Sequence, residues 1–220
     1  MFKYALPLIA LLVACQPSEQ ATQNQSPSQL QPQAPQSSAP VLPATQSQEI
    51  SGSLIADEKL GSTLPLASTV GKDVVLNAPA DKISLVAFGY TRCPDVCPTT
   101  LVLLKNAVKK LSDDEQKHLT VYFVTLDPER DTIDVLKDYV TLFHPDFVGL
   151  RPQLGQLEQL KSEWRVVGNK VPTKNDNYTV DHSTGIYFID KQGQTAVYEP
   201  YGTTAQQLAT DISLFLQQNP

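Results

Sequence analysis

Apolar and polar positions follow two different periods along the chain from about Ile50 to the C-terminus. Short, nearly continuous apolar stretches predict strands at residues 73–77, 83–90, 120–126, 185–190 and 195–201. Apolar residues at helical spacing predict helices at residues 98–111, 132–143 and 153–164. A last helix is predicted from Thr203, whose spacing to Gln206 fits a capping box. A turn-rich stretch at residues 169–177 predicts a surface hairpin or a long loop. This alternation indicates a layered domain of the α/β or α+β class, with residues 83–90 and 120–126 as central strands.

The N-terminal segment has a different pattern. One positive charge at Lys3 is followed by a short apolar run, which is typical of an export signal and too short for a spanning helix. The run ends in LVAC at residues 12–15, which resembles the bacterial lipobox, where the cysteine is acylated and becomes the mature N-terminus. We therefore expect residues 1–14 to be a lipoprotein signal peptide and Cys15 to carry the lipid.

Residues 15–49 are dominated by Gln, Ser, Pro and Ala, with almost no aliphatic side chains. Such a segment cannot bury enough apolar surface to offset its chain entropy, so it predicts a disordered linker between the lipid and a domain at residues 50–220. The formal net charge of the 220-residue chain is -6, which lacks the basic surface that nucleic-acid binding requires. We therefore expect no nucleic-acid partner.

The chain has three cysteines, Cys15, Cys93 and Cys97, which do not make a disulfide framework. Cys93 and Cys97 follow a predicted buried strand and open a predicted helix, whose N-terminus favours thiolate over thiol. Two hypotheses fit this position: the pair cycles between dithiol and disulfide, or the two thiolates bind a soft ion such as Cu(I). Three residues separate the two cysteines, whereas two are usual in thioredoxin-type exchange. The longer spacing favours metal binding but still permits a disulfide.

A metal site built on two thiolates needs a further ligand, and His182 is the strongest candidate among the three histidines. It comes just before the predicted strand at residues 185–190. If that strand lies beside the one leading to Cys93, the imidazole faces both thiolates. Asp181 is the expected partner that orients the His182 ring.

Three separated motifs resemble those of the Sco/SenC family of copper-binding proteins. They are FGYTRCPDVCP at residues 88–98, TLDPERD at residues 125–131 and DHS at residues 181–183. The resemblance implies a thioredoxin-like fold, with a central mixed sheet flanked by helices, and copper, as Cu(I) or Cu(II), bound by Cys93, Cys97 and His182. In the second motif, Asp131 suits the N-cap position of the predicted helix at residues 132–143. The resemblance implies that Asp127 or Arg130 supports the copper site without binding the metal.

The same resemblance implies a function in assembling the dinuclear copper centre of cytochrome c oxidase, as a copper donor, as a thiol reductant of that centre, or both. The implied partner is the copper-accepting subunit of a respiratory oxidase or another copper chaperone. With the lipid anchor, the chain is expected on a bacterial membrane with its domain on the extracytoplasmic side, where oxidation of the cysteine pair is possible.

Other functions remain open at this point. A thiol-disulfide oxidoreductase of the thioredoxin or peroxiredoxin type, or a copper or redox sensor, would use the same cysteines. A thioredoxin-type enzyme normally has a cis-proline before the strand that follows its long loop, whereas no proline lies between Pro172 and Glu199 and His182 occupies that region. The sequence therefore favours a metallochaperone; if the chain is an enzyme, a thiol-disulfide reductase is expected.

Overall fold

The computed structural model describes residues 49–175 and 177–220. The predicted signal peptide, Cys15 and nearly all of the predicted linker lie outside these residues. No helix in the described part is long and apolar enough to cross a bilayer. The strands and helices are β1 Ser53–Leu54, β2 Ala67–Ser68, β3 Ile83–Gly89, α1 Val96–Val108, α2 Asp113–Lys117, β4 Leu119–Thr125, α3 Ile133–Thr141, β5 Val148–Arg151, α4 Leu157–Trp164, β6 Gly168–Pro172, β7 Tyr178–His182, β8 Ile186–Ile189, β9 Thr195–Glu199 and α5 Ala205–Gln218.

Seven strands form a mixed sheet in the order β1-β9-β8-β3-β4-β5-β2. Strands β3, β4 and β5 are parallel, whereas β8 runs antiparallel to β3, with Ile186 opposite Ala87. Strands β6 and β7 form a separate antiparallel ribbon. The predicted central mixed sheet is confirmed. The strand after His182, β8, also lies beside the strand that leads to Cys93, β3, as predicted.

Each face of the sheet buries its own apolar cluster. In β3, Ile83 and Leu85 belong to the cluster covered by α1, α3 and α5, whereas Val86 belongs to the cluster covered by α4; all three side chains are 0% exposed. The expectation that β3 and β4 are central strands covered on both faces is confirmed. A strand held so firmly fixes the position of the turn that follows it.

Some elements differ from the sequence-based expectations. Residues 73–77 form no strand: Val74 makes an isolated bridge to Leu66, and the edge strand beside β5 is β2. Strand β5 is missing from the predictions because four residues that include a glycine give too short a pattern. The last helix is capped one residue later than expected, by Thr204, whose Oγ1 accepts a hydrogen bond from the Gln207 N–H.

Candidate metal centre

The turn between β3 and α1 carries both cysteines. Helix α1 begins at Val96, so Cys97 lies in its first turn and Cys93 lies just before it. The Cys97 N–H donates to Cys93 Sγ at 3.5 Å, and the Cys93 N–H donates to the Tyr90 carbonyl at 3.2 Å. Cys97 is 2% exposed and Cys93 is half-buried, and the two form no disulfide. The turn therefore presents a reduced dithiol at the C-terminal end of β3.

Two buried residues hold this turn in place. A Cβ atom at Gly89 would lie 2.4 Å from Cys97 Sγ, so only glycine leaves room for that sulfur against β3. Asp131 is 0% exposed and accepts hydrogen bonds from the Thr91 N–H at 3.0 Å, from Thr91 Oγ1 at 2.6 Å and from Thr125 Oγ1 at 2.6 Å. Asp131 therefore ties the cysteine turn to β4.

The expectation that Asp131 caps the following helix is wrong. Its carboxylate points inward to Thr91 and Thr125, and Thr132 is the N-cap of α3, with Oγ1 accepting from the Val135 N–H at 3.3 Å. Thr132 can replace Asp131 as the cap because an N-cap needs only a side-chain oxygen that accepts from a backbone N–H of the first turn.

His182 ends β7 and brings its ring to the cysteines. Its Nε2 lies 3.4 Å from Cys97 Sγ and 3.7 Å from Cys93 Sγ, and the three ligand atoms all lie within 4.8 Å of one another. Nδ1 lies 2.8 Å from the Ser183 carbonyl oxygen. Because a carbonyl can only accept, Nδ1 carries the proton in the neutral ring, and the Nε2 lone pair faces the sulfurs. This lone pair can take the proton of a thiol or bind a metal.

The structure does not bring Asp181 to the imidazole. Asp181 is exposed, and as the neighbour of His182 in β7 it lies on the opposite face of the ribbon. The partner of the ring is the Ser183 backbone carbonyl, so the expected orienting function of Asp181 is wrong in this arrangement. Asp127 and Arg130 form a mostly buried pair that contacts Tyr178 at the other end of β7.

The pKa values of the two thiols are shifted in opposite directions. Burial raises the pKa of Cys93, but hydrogen bonding with the His182 ring and with the Asp95 and Cys97 backbone outweighs it and brings this pKa down to about 7. The ring lowers this pKa because Nε2 can take the thiol proton and then donate it in a hydrogen bond to the thiolate. Burial also raises the pKa of Cys97, here far above the ordinary thiol range. Backbone groups at the start of α1 thus help to lower the pKa of Cys93, whereas burial dominates at Cys97.

Cys93 is expected to react with iodoacetamide much faster than Cys97 at neutral pH, with a rate that rises through a midpoint near pH 7. Below that midpoint the rate should fall about tenfold per pH unit, because only the thiolate reacts. Peptide mapping of the metal-free protein after timed alkylation measures both rates. In the unfolded chain both thiols should titrate at the ordinary, higher pKa. Equal rates for the two folded cysteines would contradict the assignment.

Sequence reasoning missed two groups that shape the centre. Tyr90 is 2% exposed, donates or accepts at 2.7 Å with Thr179 Oγ1, and meets the His182 ring edge-on at 5.7 Å between centroids. Its position, an aromatic residue between a buried strand and a cysteine turn, was an available signal. Ser183 acts through its backbone carbonyl, which carries no side-chain signal in a sequence.

Comparisons with known proteins give one family. The family model described as SCO1/SenC matches residues 53–217. A SCO2-like protein of Rickettsia prowazekii is 37% identical over 138 residues, which are 62% of this chain and 67% of that protein. The mitochondrial protein SCO2 of Saccharomyces cerevisiae is 34% identical over 137 residues, 61% of this chain and 46% of that protein.

Solved structures agree with the sequence matches. Bradyrhizobium japonicum ScoI with copper bound is 32% identical, with a TM-score of 0.66 over 71% of this chain and 99% of that one. Yeast Sco1 with copper bound is 28% identical, with a TM-score of 0.65 over 72% of this chain and 89% of that one. These likenesses bear out the expected thioredoxin-like fold. Because the family model covers most of the chain and these relatives share its domain, the chain belongs to the SCO1/SenC family.

Proposed function

We propose that this protein binds copper through Cys93, Cys97 and His182 and acts in assembly of the dinuclear copper centre of cytochrome c oxidase. The observation that carries the proposal is the convergence of two sulfurs and one imidazole nitrogen within 4.8 Å. Thiolates suit Cu(I), and imidazole suits copper in either oxidation state. The copper-bound structures of Bradyrhizobium ScoI and yeast Sco1 are relatives in which the metal was found.

The spacing of the donors fits one metal ion. Bond lengths of about 2.0–2.3 Å to nitrogen and sulfur separate a nitrogen from a sulfur donor by roughly 3.5–3.7 Å in tetrahedral or trigonal sites. The distances from Nε2 to the two sulfurs, 3.4 and 3.7 Å, lie close to this range. A copper ion can therefore bind with Nε2 near its observed distances from the two sulfurs, and its binding displaces the proton that Cys97 holds at neutral pH.

A second candidate function, reduction of the acceptor's cysteines, is favoured by the different acidities of the two thiols. The Cys93 thiolate would attack one sulfur of the acceptor disulfide and release the other sulfur as a thiolate, which takes up a proton. Cys97 would then lose its proton and attack Cys93 Sγ, which releases the reduced acceptor and leaves a Cys93–Cys97 disulfide. Two electrons pass to the acceptor, which is the balance that thiol-disulfide exchange requires.

One experiment separates the two candidates. The full chain, reduced and either copper-loaded or copper-free, is mixed with the isolated copper-accepting oxidase domain in its oxidised and reduced forms. A metallochaperone is expected to transfer copper to the reduced acceptor, whereas a reductase is expected to reduce the oxidised acceptor without copper. If neither copper transfer nor disulfide reduction occurs, the proposed function is wrong, and a sensor function takes its place.

We also propose that Cys15 anchors the protein to a bacterial membrane, with the domain on the extracytoplasmic side. The lipobox-like LVAC pattern and the following Gln-, Ser- and Pro-rich stretch support this. Mass spectrometry of the membrane-extracted protein is expected to find an acylated Cys15 as its first residue. The variant Cys15→Ser should remain unacylated and appear in the soluble fraction. An intact segment from Met1 to Ala14 in the mature protein would contradict the anchor.

A further inference from the structure

The ribbon that carries His182 does not belong to the main sheet. Within the described chain, β6 and β7 pair with each other, whereas the cysteines follow β3, the middle strand of the seven. The distance between Nε2 and the sulfurs therefore depends on the short connection to β8 and on side-chain contacts between the ribbon and the rest of the domain. Val180 anchors β7 in the apolar core, and several of the polar contacts involve Arg130.

Arg130 holds the first residue of β7 in several ways. Its guanidinium carbon lies 3.6 Å from the centroid of the Tyr178 ring, and its Nη1 donates to the Tyr178 carbonyl at 2.9 Å. Its Nε donates to the Asp127 carboxylate, which also accepts from the Tyr178 hydroxyl at 2.8 Å. The ring, the hydroxyl and the backbone of Tyr178 are thus all fixed by one ion pair. Asp127 is 1% exposed, so solvent screens this pair weakly.

On its other side, Arg130 approaches Tyr90, which adjoins the cysteine turn. The guanidinium carbon lies 5.9 Å from the Tyr90 ring centroid. Tyr90 in turn shares a hydrogen bond with Thr179 in β7 and packs against the His182 ring. Tyr90 therefore contacts β7 near both of its ends, and Arg130 lies against Tyr90 and against Tyr178 at the start of β7.

The choice of arginine at this position has a cost. Its side chain is 13% exposed, and Nη2 is a buried donor without a hydrogen-bond partner among the described residues. A buried donor without a partner is unfavourable, and a lysine could neutralise Asp127 with a single ammonium group. What lysine cannot do is stack a planar group on Tyr178 while donating to two acceptors in different directions. The contacts with the ribbon therefore explain why an arginine, and not a lysine, suits this position.

We propose that Arg130 is a positioning residue of the metal centre: it fixes β7 against Tyr90 and so holds His182 Nε2 within reach of both sulfurs. The inference rests on the proposed copper binding, and it deepens that function by adding a residue that acts only through His182. Copper held mainly by the two thiolates should not depend on Arg130.

The test is a double-mutant cycle in the full chain. Arg130→Lys is expected to lower Cu(II) affinity about tenfold, the scale typical for groups that orient a ligand, and to change the nitrogen hyperfine pattern of the Cu(II) spectrum. Cu(I) affinity should stay within about twofold, because two thiolates satisfy Cu(I). In the His182→Ala background, Arg130→Lys should cause no further loss.

The matched control is Lys170→Met. Lys170 Nζ lies 4.8 Å from the centroid of the same Tyr178 ring but pairs with Glu129 at the surface, with 45% of its side chain exposed. Its substitution removes one positive charge near Tyr178 and should leave Cu(II) affinity unchanged. Tyr178→Leu serves as a second test variant, since it keeps the Asp127–Arg130 pair and removes the ring; it should reproduce the Arg130→Lys loss.

A readout without metal keeps this inference separate from the proposed function. In the copper-free protein, Arg130→Lys is expected to speed hydrogen exchange of the β6 and β7 amides relative to those of β3. An equal loss of Cu(II) affinity in both backgrounds, or ribbon amides protected as in the wild type, overturns the inference. Wild-type protein that fails to bind copper refutes the proposed function instead, and the exchange rates still decide the role of Arg130.

Discussion

Oxidation of Cys93 and Cys97 to a disulfide is expected to abolish high-affinity copper binding. The two sulfurs supply two of the three converging donors, and disulfide sulfurs are not thiolate ligands. His182 would remain as the single strong donor of this cluster, and one imidazole does not hold copper tightly. Because loss of an orienting group alone costs about 10- to 100-fold in metal affinity, the loss of both thiolates should exceed about 100-fold.

Copper titrations of the full chain in its reduced and oxidised forms measure this effect, with re-reduction expected to restore binding. A Cys93→Ser, Cys97→Ser double variant is the control, because it should bind copper weakly and not respond to oxidant. Bound copper should in turn protect both cysteines from alkylation. Unchanged Cu(I) affinity in the oxidised protein would contradict the proposed ligand set.

Replacement of His182 by alanine is expected to lower Cu(II) affinity by about 100-fold or more. Nitrogen donors favour Cu(II), and direct removal of a ligand costs at least as much as removal of a group that only orients one. Cu(I) affinity should fall less, because two thiolates can hold Cu(I) in a nearly linear arrangement. The same substitution removes the ring hydrogen bond to Cys93, so the pKa of that thiol should rise.

The control for this substitution is His118→Ala. His118 is exposed and lies just before β4, at the opposite end of the parallel strands from the cysteine turn. The His118→Ala substitution should leave Cu(II) spectra, Cu(I) affinity and the alkylation profile of Cys93 unchanged. If His182→Ala eliminated disulfide exchange while Cu(II) binding persisted, His182 would be a catalytic base, and a thiol oxidoreductase would replace the metallochaperone.

The structure changed the interpretation of how the two cysteine thiols are activated. The sequence suggested that both thiols owe their activation mainly to the helix N-terminus. In the folded chain, the His182 ring contributes to the acidity of Cys93, and Cys97 is buried deeply enough that its thiol remains protonated. Burial and the approach of a distant residue are properties of the packed domain, so no local pattern around the cysteines contains them.

The pattern of residue types was enough to predict the central strands, the helices that cover them and the three residues that come together. A nearly continuous apolar stretch such as β3 is typical of a strand covered on both faces of a sheet. The turn that follows such a strand places its cysteines at the C-terminal edge of the sheet. The identity of His182 followed because few residue types bind soft metals and few histidines were present.

The contacts that support the site became visible in the folded domain. Asp131 faces inward to the cysteine turn instead of capping a helix, a backbone carbonyl replaces Asp181 at the His182 ring, and Arg130 joins the ribbon to Tyr90. These contacts join residues far apart in the chain, and each depends on side-chain direction and burial. Local periodicity fixes which elements form, whereas the packing of those elements fixes which polar groups meet.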